Sequence, residues 1–151
     1  HTQKDTVEII SKGKGDYVGG LKGNQSGLLE AVTSYFTDAL KKKIKEKGTS
    51  YYETIEKAHN KVETRRFYLA PAKFGKQEWS GLKSFLFYEK HTTDLVTGTE
   101  TLECRYYITS LTDVELVADA VRGHWEILSA AFFYPHLFPR MPEMLDFLHA
   151  A

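Results

Sequence analysis

Apolar and polar residues alternate with a period of two from Leu102 to Thr109, then recur at spacings of three and four. Leu102, Cys104, Tyr106 and Ile108 stand against Glu103, Arg105, Tyr107 and Thr109, the pattern of a half-buried strand, which places the Cys104 thiol in a core. After a turn at Ser110 and Leu111, Thr112 can cap a helix while Glu115 reaches back to it as a capping box. Val114, Val117, Ala118, Val121, Trp125 and Leu128 share one face of that helix. Upstream, Val7, Ile9 and Ile10 predict a helix over residues 1–14, stopped by Gly13 and Gly15. A short strand, weakened by Gly19 and Gly20, follows over residues 16–22. Residues 23–26 form a turn in which Ser26 caps a second helix. Its buried face is Leu28, Leu29, Val32, Tyr35, Phe36 and Leu40, and it extends to about Lys47.

Residues 49–109 read as β. Strands over 51–56 and 62–69 flank a hairpin connection at Ala58-His59-Asn60, and Pro71 ends the second. A third strand spans residues 82–88, and a loop over 94–98 precedes the fourth, which together make an antiparallel meander. Helices and short strands followed by this meander define an α/β chain. Residues 129–151 carry three of the four prolines, Pro135, Pro139 and Pro142, which forbid a continuous helix there.

Charge and cysteine usage narrow the chemistry. Twenty basic and twenty acidic residues cancel over 151 residues, so nucleic-acid binding has to rest on a local patch rather than a global field. The single cysteine excludes an intramolecular disulfide. No apolar run approaches the roughly 20 residues that span a bilayer, and no signal peptide is visible, so the expected location is the cytoplasm. A first residue of His1 rather than Met leads to the expectation that the natural beginning lies upstream. Metal- and nucleotide-binding signatures of the HxxxH, CxxC and Walker types are absent.

Several basic clusters are candidates for phosphate contact, each with a plain structural alternative. Lys22, Asn24 and Gln25 lie in a glycine-rich turn at a helix start, where free N–H groups suit a phosphate but where an ordinary turn and cap also fit. Lys41, Lys42, Lys43, Lys45 and Lys47 form the densest basic run and read as a solvated helix end that complements the dipole. Arg65 and Arg66 must point to opposite faces of their strand. With Lys57, His59 and Lys61 they make a candidate basic edge that would hold phosphates without reading bases. Asp16 reads as a turn residue and Asp113 as a first-turn helix residue.

The segments RYYITSL and AVRGHWEI, the run DYVGGLKGNQ, the opening HTQKD, and ETRRFYL with WSGLKSF together resemble the H-repeat-associated insertion-sequence transposases of the DDE group. The resemblance covers residues 1–127. It implies the second half of a ribonuclease H-like core over 1–48, a β-rich insertion over 49–109, the last catalytic-domain helix over 110–128 and a divergent tail over 129–151. The intact family uses three carboxylates that gather two metal ions about 3.5–4 Å apart. Mg²⁺ suits such a site, and the implied reaction is strand cleavage and transfer at transposon ends. Two of those aspartates are expected before His1. The third carboxylate belongs to a segment of the form H-W-x-I-E-N, and this chain has His124, Trp125, Glu126 and Ile127, then Leu128 where the glutamate is expected. Glu126 is displaced by about 200° around the helix from that position. Arg122, on the approach to it, is a candidate phosphate ligand or a surface ion pair, and His124 and Trp125 are candidates for the site rim or for DNA contact.

The expected protein is therefore a fragment of a DDE-type transposase that is inactive as this chain and takes no Mg²⁺. The alternative is a non-catalytic DNA-binding or protein-interaction module derived from one. A third reading, a decayed reading frame, predicts poor solubility from an unpaired sheet edge. DNA ends are the implied partner in the bacterial nucleoid, with no membrane, and self-association stays open. A reading-frame change is the favoured origin of the tail, with natural divergence as the alternative.

Overall fold

The computed structural model describes residues 8, 11–13, 15–22 and 26–123. Their centre is a five-stranded antiparallel sheet in the order β1-β5-β4-β3-β2, built from Val18–Gly20, Tyr51–Ala58, Lys61–Pro71, Ser84–Asp94 and Glu100–Thr109 in chain order. Helices α1 (Ser26–Tyr35) and α2 (Asp38–Lys47) lie on one face and α3 (Val114–Val121) on the other. The chain is α/β, with the four long strands as the expected meander and the short β1 added beside β5. No helix among the described residues is long and apolar enough to cross a membrane.

The β2–β3 hairpin turns on His59 and Asn60, both with positive φ (51° and 62°). That pair of left-handed residues is the tight two-residue turn whose twist matches the flanking strands. It sets the pairing of Ala58 with Lys61 and, counting back, of Glu53 with Arg66 and Tyr51 with Tyr68. The β4–β5 turn is held by Asp94, whose carboxylate accepts the N–H groups of Val96 and Thr97.

The strands are half in the core and half out of it. At the base, Tyr68, Ala70, Phe85, Phe87 and Ile108 face α1 and α2, where Val32, Phe36 and Ile44 pack on them. Phe67, Leu69, Leu86, Tyr88 and Tyr107 face α3, against Val114, Val117 and Ala118. Because both faces are covered there, β4 reads as a continuous apolar run, Phe85-Leu86-Phe87-Tyr88, rather than an alternating one. Beyond that base, the strands carry charged residues that are half-buried or exposed.

Four expectations need correction. Cys104 is exposed, not a core thiol. It sits in the cross-strand row Glu53, Arg66, Glu89, Cys104, one step beyond the row Tyr51, Tyr68, Phe87, Tyr106 where the helices' cover ends. Leu102, a further step out, is 60% exposed. The third strand extends to Asp94 instead of stopping at residue 88, because its polar half is paired on both sides. The expected helix from Ser26 to Lys47 is broken at Phe36 and Thr37. Thr37 takes an extended conformation and caps α2 by accepting the N–H of Leu40 at 3.1 Å, a role that threonine fills well. The α3 cap is Asp113, which accepts the Glu115 N–H at 3.0 Å, rather than Thr112.

The apolar positions expected on the second helix do pack on the core: Val32 and Phe36 are buried, and Leu28, Leu29, Tyr35 and Leu40 lie against them. On the α3 helix the same holds for Val114, Val117, Ala118 and Val121. Trp125, Leu128 and the tail lie outside the described residues, as does most of the expected first helix.

Candidate nucleic-acid interface

Arg65 and Arg66 project from opposite faces of β3, as successive residues of a strand must. On the α1–α2 face, Arg66 stands between Glu53 of β2 and Glu89 of β4 in direct register. Its Nε donates to Glu53 Oε1 at 3.1 Å, and its Nη1 lies 3.6 Å from Glu89. The hydroxyls of Tyr51 and Tyr68 donate to Glu53 and Glu89 respectively, closing a ladder of two tyrosines, two carboxylates and one guanidinium. Burial, followed by the charge of Glu89, pushes the Tyr68 hydroxyl up to about 12.

On the α3 face, Arg65 donates to Glu56 at 2.9 Å and lies 3.5 Å from Glu63, which Lys90 also reaches at 3.0 Å. Arg122, at the C-terminal cap of α3, donates to the same Oε1 atom of Glu56 at 2.6 Å. Two arginines that the sequence treats as unrelated candidates therefore meet at one carboxylate. Lys57, His59 and Lys61 are exposed at the hairpin end. The register puts Lys57 on the Arg66 side and Lys61 on the Arg65 side, so these cations divide between the two faces.

The lysines of α2 behave as a solvated helix end. Lys41 lies over the Phe87 ring at 4.5 Å and near Asp38, Lys45 lies over Tyr51, and Lys42 is 3.9 Å from Glu46. Lys22 is exposed just beyond β1. Asn24, Gln25, His124 and Leu128 lie outside the described residues. Asp16 accepts the Ser110 hydroxyl at 2.9 Å and Asp113 caps α3, so both have structural partners. Among the described residues, no group of three or more His, Cys, Asp or Glu side chains is arranged to hold a metal ion.

The carboxylates Glu53, Glu56 and Glu89 were not singled out from the sequence, yet they define the surroundings of all three arginines. The signal was available: with a two-residue turn at His59-Asn60, the register that places Glu53 opposite Arg66 follows by counting.

Glu53 and Glu63 give the sheet a pH response. The Tyr51 hydroxyl, and after it Arg66, hold the Glu53 carboxyl below its ordinary value of 4.5, and Lys90 does the same for Glu63. A depressed carboxyl contributes stability that is complete above the unfolded value and is lost as pH falls through the folded one. We expect the urea midpoint to fall as pH drops below about 4.5, and to fall less steeply in Glu53→Gln. Parallel pH profiles for the two proteins would contradict the assignment.

The chain is 30% identical over 132 residues, 83% of its length, to "H repeat-associated putative transposase YhhI" of Escherichia coli K12. It is 33% identical over 136 residues, again 83% of its length, to "Putative transposase YncI" of Escherichia coli O157:H7. An "Uncharacterized protein in dhlA 3'region" of Xanthobacter autotrophicus is 32% identical over 113 residues, 73% of this chain. The chain spans about a third of the length of the curated relatives it matches, between 33% and 36%. It is thus related to part of proteins named as transposases. No protein-family model matches it, and no solved structure does.

Proposed function

We propose that this chain is a transposase-derived module that holds DNA through its phosphates and does not itself cut it. The observation that carries the reading is the match of 83% of the chain to proteins named as transposases. In this reading β1, α1, α2 and α3 form part of a DDE-type, ribonuclease H-like core, with residues 49–109 as its antiparallel insertion. The intact relatives' reaction would be Mg²⁺-dependent cleavage and transfer of DNA strands, for which three convergent carboxylates are needed. Leu128 occupies the position where the resemblance expects the third, and a leucine supplies no metal ligand. Binding is the activity that arginines and lysines can supply without that site, since phosphate contacts position DNA independently of its sequence.

The test is a single incubation of the purified chain with labelled duplex carrying element ends, in Mg²⁺ or Mn²⁺. The expected result is a retarded complex containing intact DNA. Metal-dependent nicking that co-purifies with the chain, and that is lost in Glu126→Ala or Asp16→Ala, would overturn the non-cutting reading. Failure to retain DNA at low salt would overturn the binding reading.

A further inference from the structure

We propose that Arg65 and Arg122 form one phosphate-binding fork, which Glu56 occupies in the free protein and a DNA phosphate takes over on binding. The proposal rests on the reading that the chain binds DNA, and it names the atoms that would do so. Both guanidiniums reach the same oxygen, Oε1 of Glu56, at 2.9 and 2.6 Å. An anionic oxygen receiving charge-assisted hydrogen bonds from two guanidiniums is equally well supplied by a carboxylate or a phosphate.

The exposures indicate which partner is fixed. The Arg65 and Arg122 side chains are 14% and 25% exposed, whereas Glu56, on the edge strand β2, is 48% exposed. Arg65 is held in the middle of the sheet between β2 and β4. Arg122 is held at the end of α3, whose Val114, Val117 and Ala118 are buried against that sheet. The cations therefore come from two packed elements and converge, while the anion between them is peripheral and can rotate outward. Lys90 adds a third cation beside Arg65 through Glu63.

The opposite face lacks these properties. Arg66 is flanked on both sides by Glu53 and Glu89, which are only 32% and 19% exposed and are each held by a tyrosine hydroxyl. That ladder is closed, and no incoming anion can replace a partner without breaking several bonds. Glu56 is by contrast 48% exposed, so solvent competes for its carboxylate and the anion can be exchanged while both guanidiniums stay in place.

The experiment measures fluorescence anisotropy of a short labelled duplex of arbitrary sequence across a salt series. Glu56→Gln keeps the shape and removes the internal competitor, and should tighten binding by about threefold to fivefold, the size of an exposed ion pair. The gain should vanish in Glu56→Gln/Arg122→Gln. Arg122→Gln alone should weaken binding and reduce the salt slope by about one. A gain that persists without Arg122 would reflect net charge alone and would overturn the fork, as would unchanged or weaker binding by a folded Glu56→Gln. Should Glu56→Gln melt early, Arg122→Gln decides the matter: an unchanged slope and affinity would overturn the proposal. Wild-type binding with no response to these variants sinks the fork and leaves the DNA-binding reading standing, whereas no binding by any of the proteins sinks both.

Discussion

Phe85→Ala is expected to destabilise the chain by about 3–5 kcal/mol, the range for deleting a buried phenylalanine ring. Phe85 is fully buried in β4, and its ring packs against Phe74 at 4.7 Å and edge-on against Tyr35 at 5.8 Å. In the sheet it lies between Ala70 and Ile108. Ala70 is too short to fill a void beside it, and Phe74, on the long β3–β4 connection, would lose the surface that anchors it. Collapse into the cavity is therefore limited, which is what puts this site in the upper part of the large-to-small range. Urea unfolding followed by tyrosine fluorescence or circular dichroism measures it, with Leu102→Ala as control. Leu102 is 60% exposed and should change stability by no more than about 0.5 kcal/mol. Equal effects at the two positions would mean that the core has been misplaced.

Ser110→Ala should cost about 1–3 kcal/mol, much more than loss of a surface hydroxyl, because it strands a buried donor. Strand β1 is three residues long, and backbone bonds extend its pairing, from Leu21 N–H to the Tyr106 carbonyl and from Ser110 N–H to the Tyr17 carbonyl. Its entry is tied to the end of β5 by side chains. The Ser110 hydroxyl accepts the Tyr17 N–H at 2.9 Å and donates to Asp16 at 2.9 Å. The Thr109 hydroxyl donates to the Tyr17 carbonyl at 2.7 Å and accepts the Leu111 N–H at 3.0 Å. Tyr17 and Thr109 are fully buried and Ser110 nearly so, so water cannot replace the missing partner. Amide exchange at Tyr17 should accelerate in Ser110→Ala before global unfolding, as β1 detaches locally. Unchanged exchange at Tyr17, with unchanged stability, would contradict this account of how β1 is held.

Among the described residues, the pattern of apolar positions located the strands and helices because most of them carry a period that only one kind of element satisfies. It was less informative about where elements end. The strand through Leu102 and Cys104 alternates to its tip, but alternation reports pleat and says nothing of how far a helix covers the sheet, so Cys104 was placed inside. The break at Thr37 does not show in the periodicity because the apolar spacing of Tyr35, Phe36 and Leu40 continues through it. The three arginines were found as cations, but their roles depend on partners chosen by register and by the packing of α3 across the sheet. Glu53 opposite Arg66 could have been counted out from the hairpin turn. The meeting of Arg65 with Arg122 could not, since it depends on where the end of a helix lands on the far side of a sheet.

The most direct test of the central claim is the salt dependence of DNA affinity for the purified chain. Phosphate-mediated binding gives a straight line of log affinity against log salt, with a slope of about −0.9 for each phosphate neutralised on duplex DNA. The expected result is a slope corresponding to a few phosphates, little preference between element ends and arbitrary duplex, and a shallower slope in Arg122→Gln. Flat salt dependence, or no detectable complex at low salt, would contradict it.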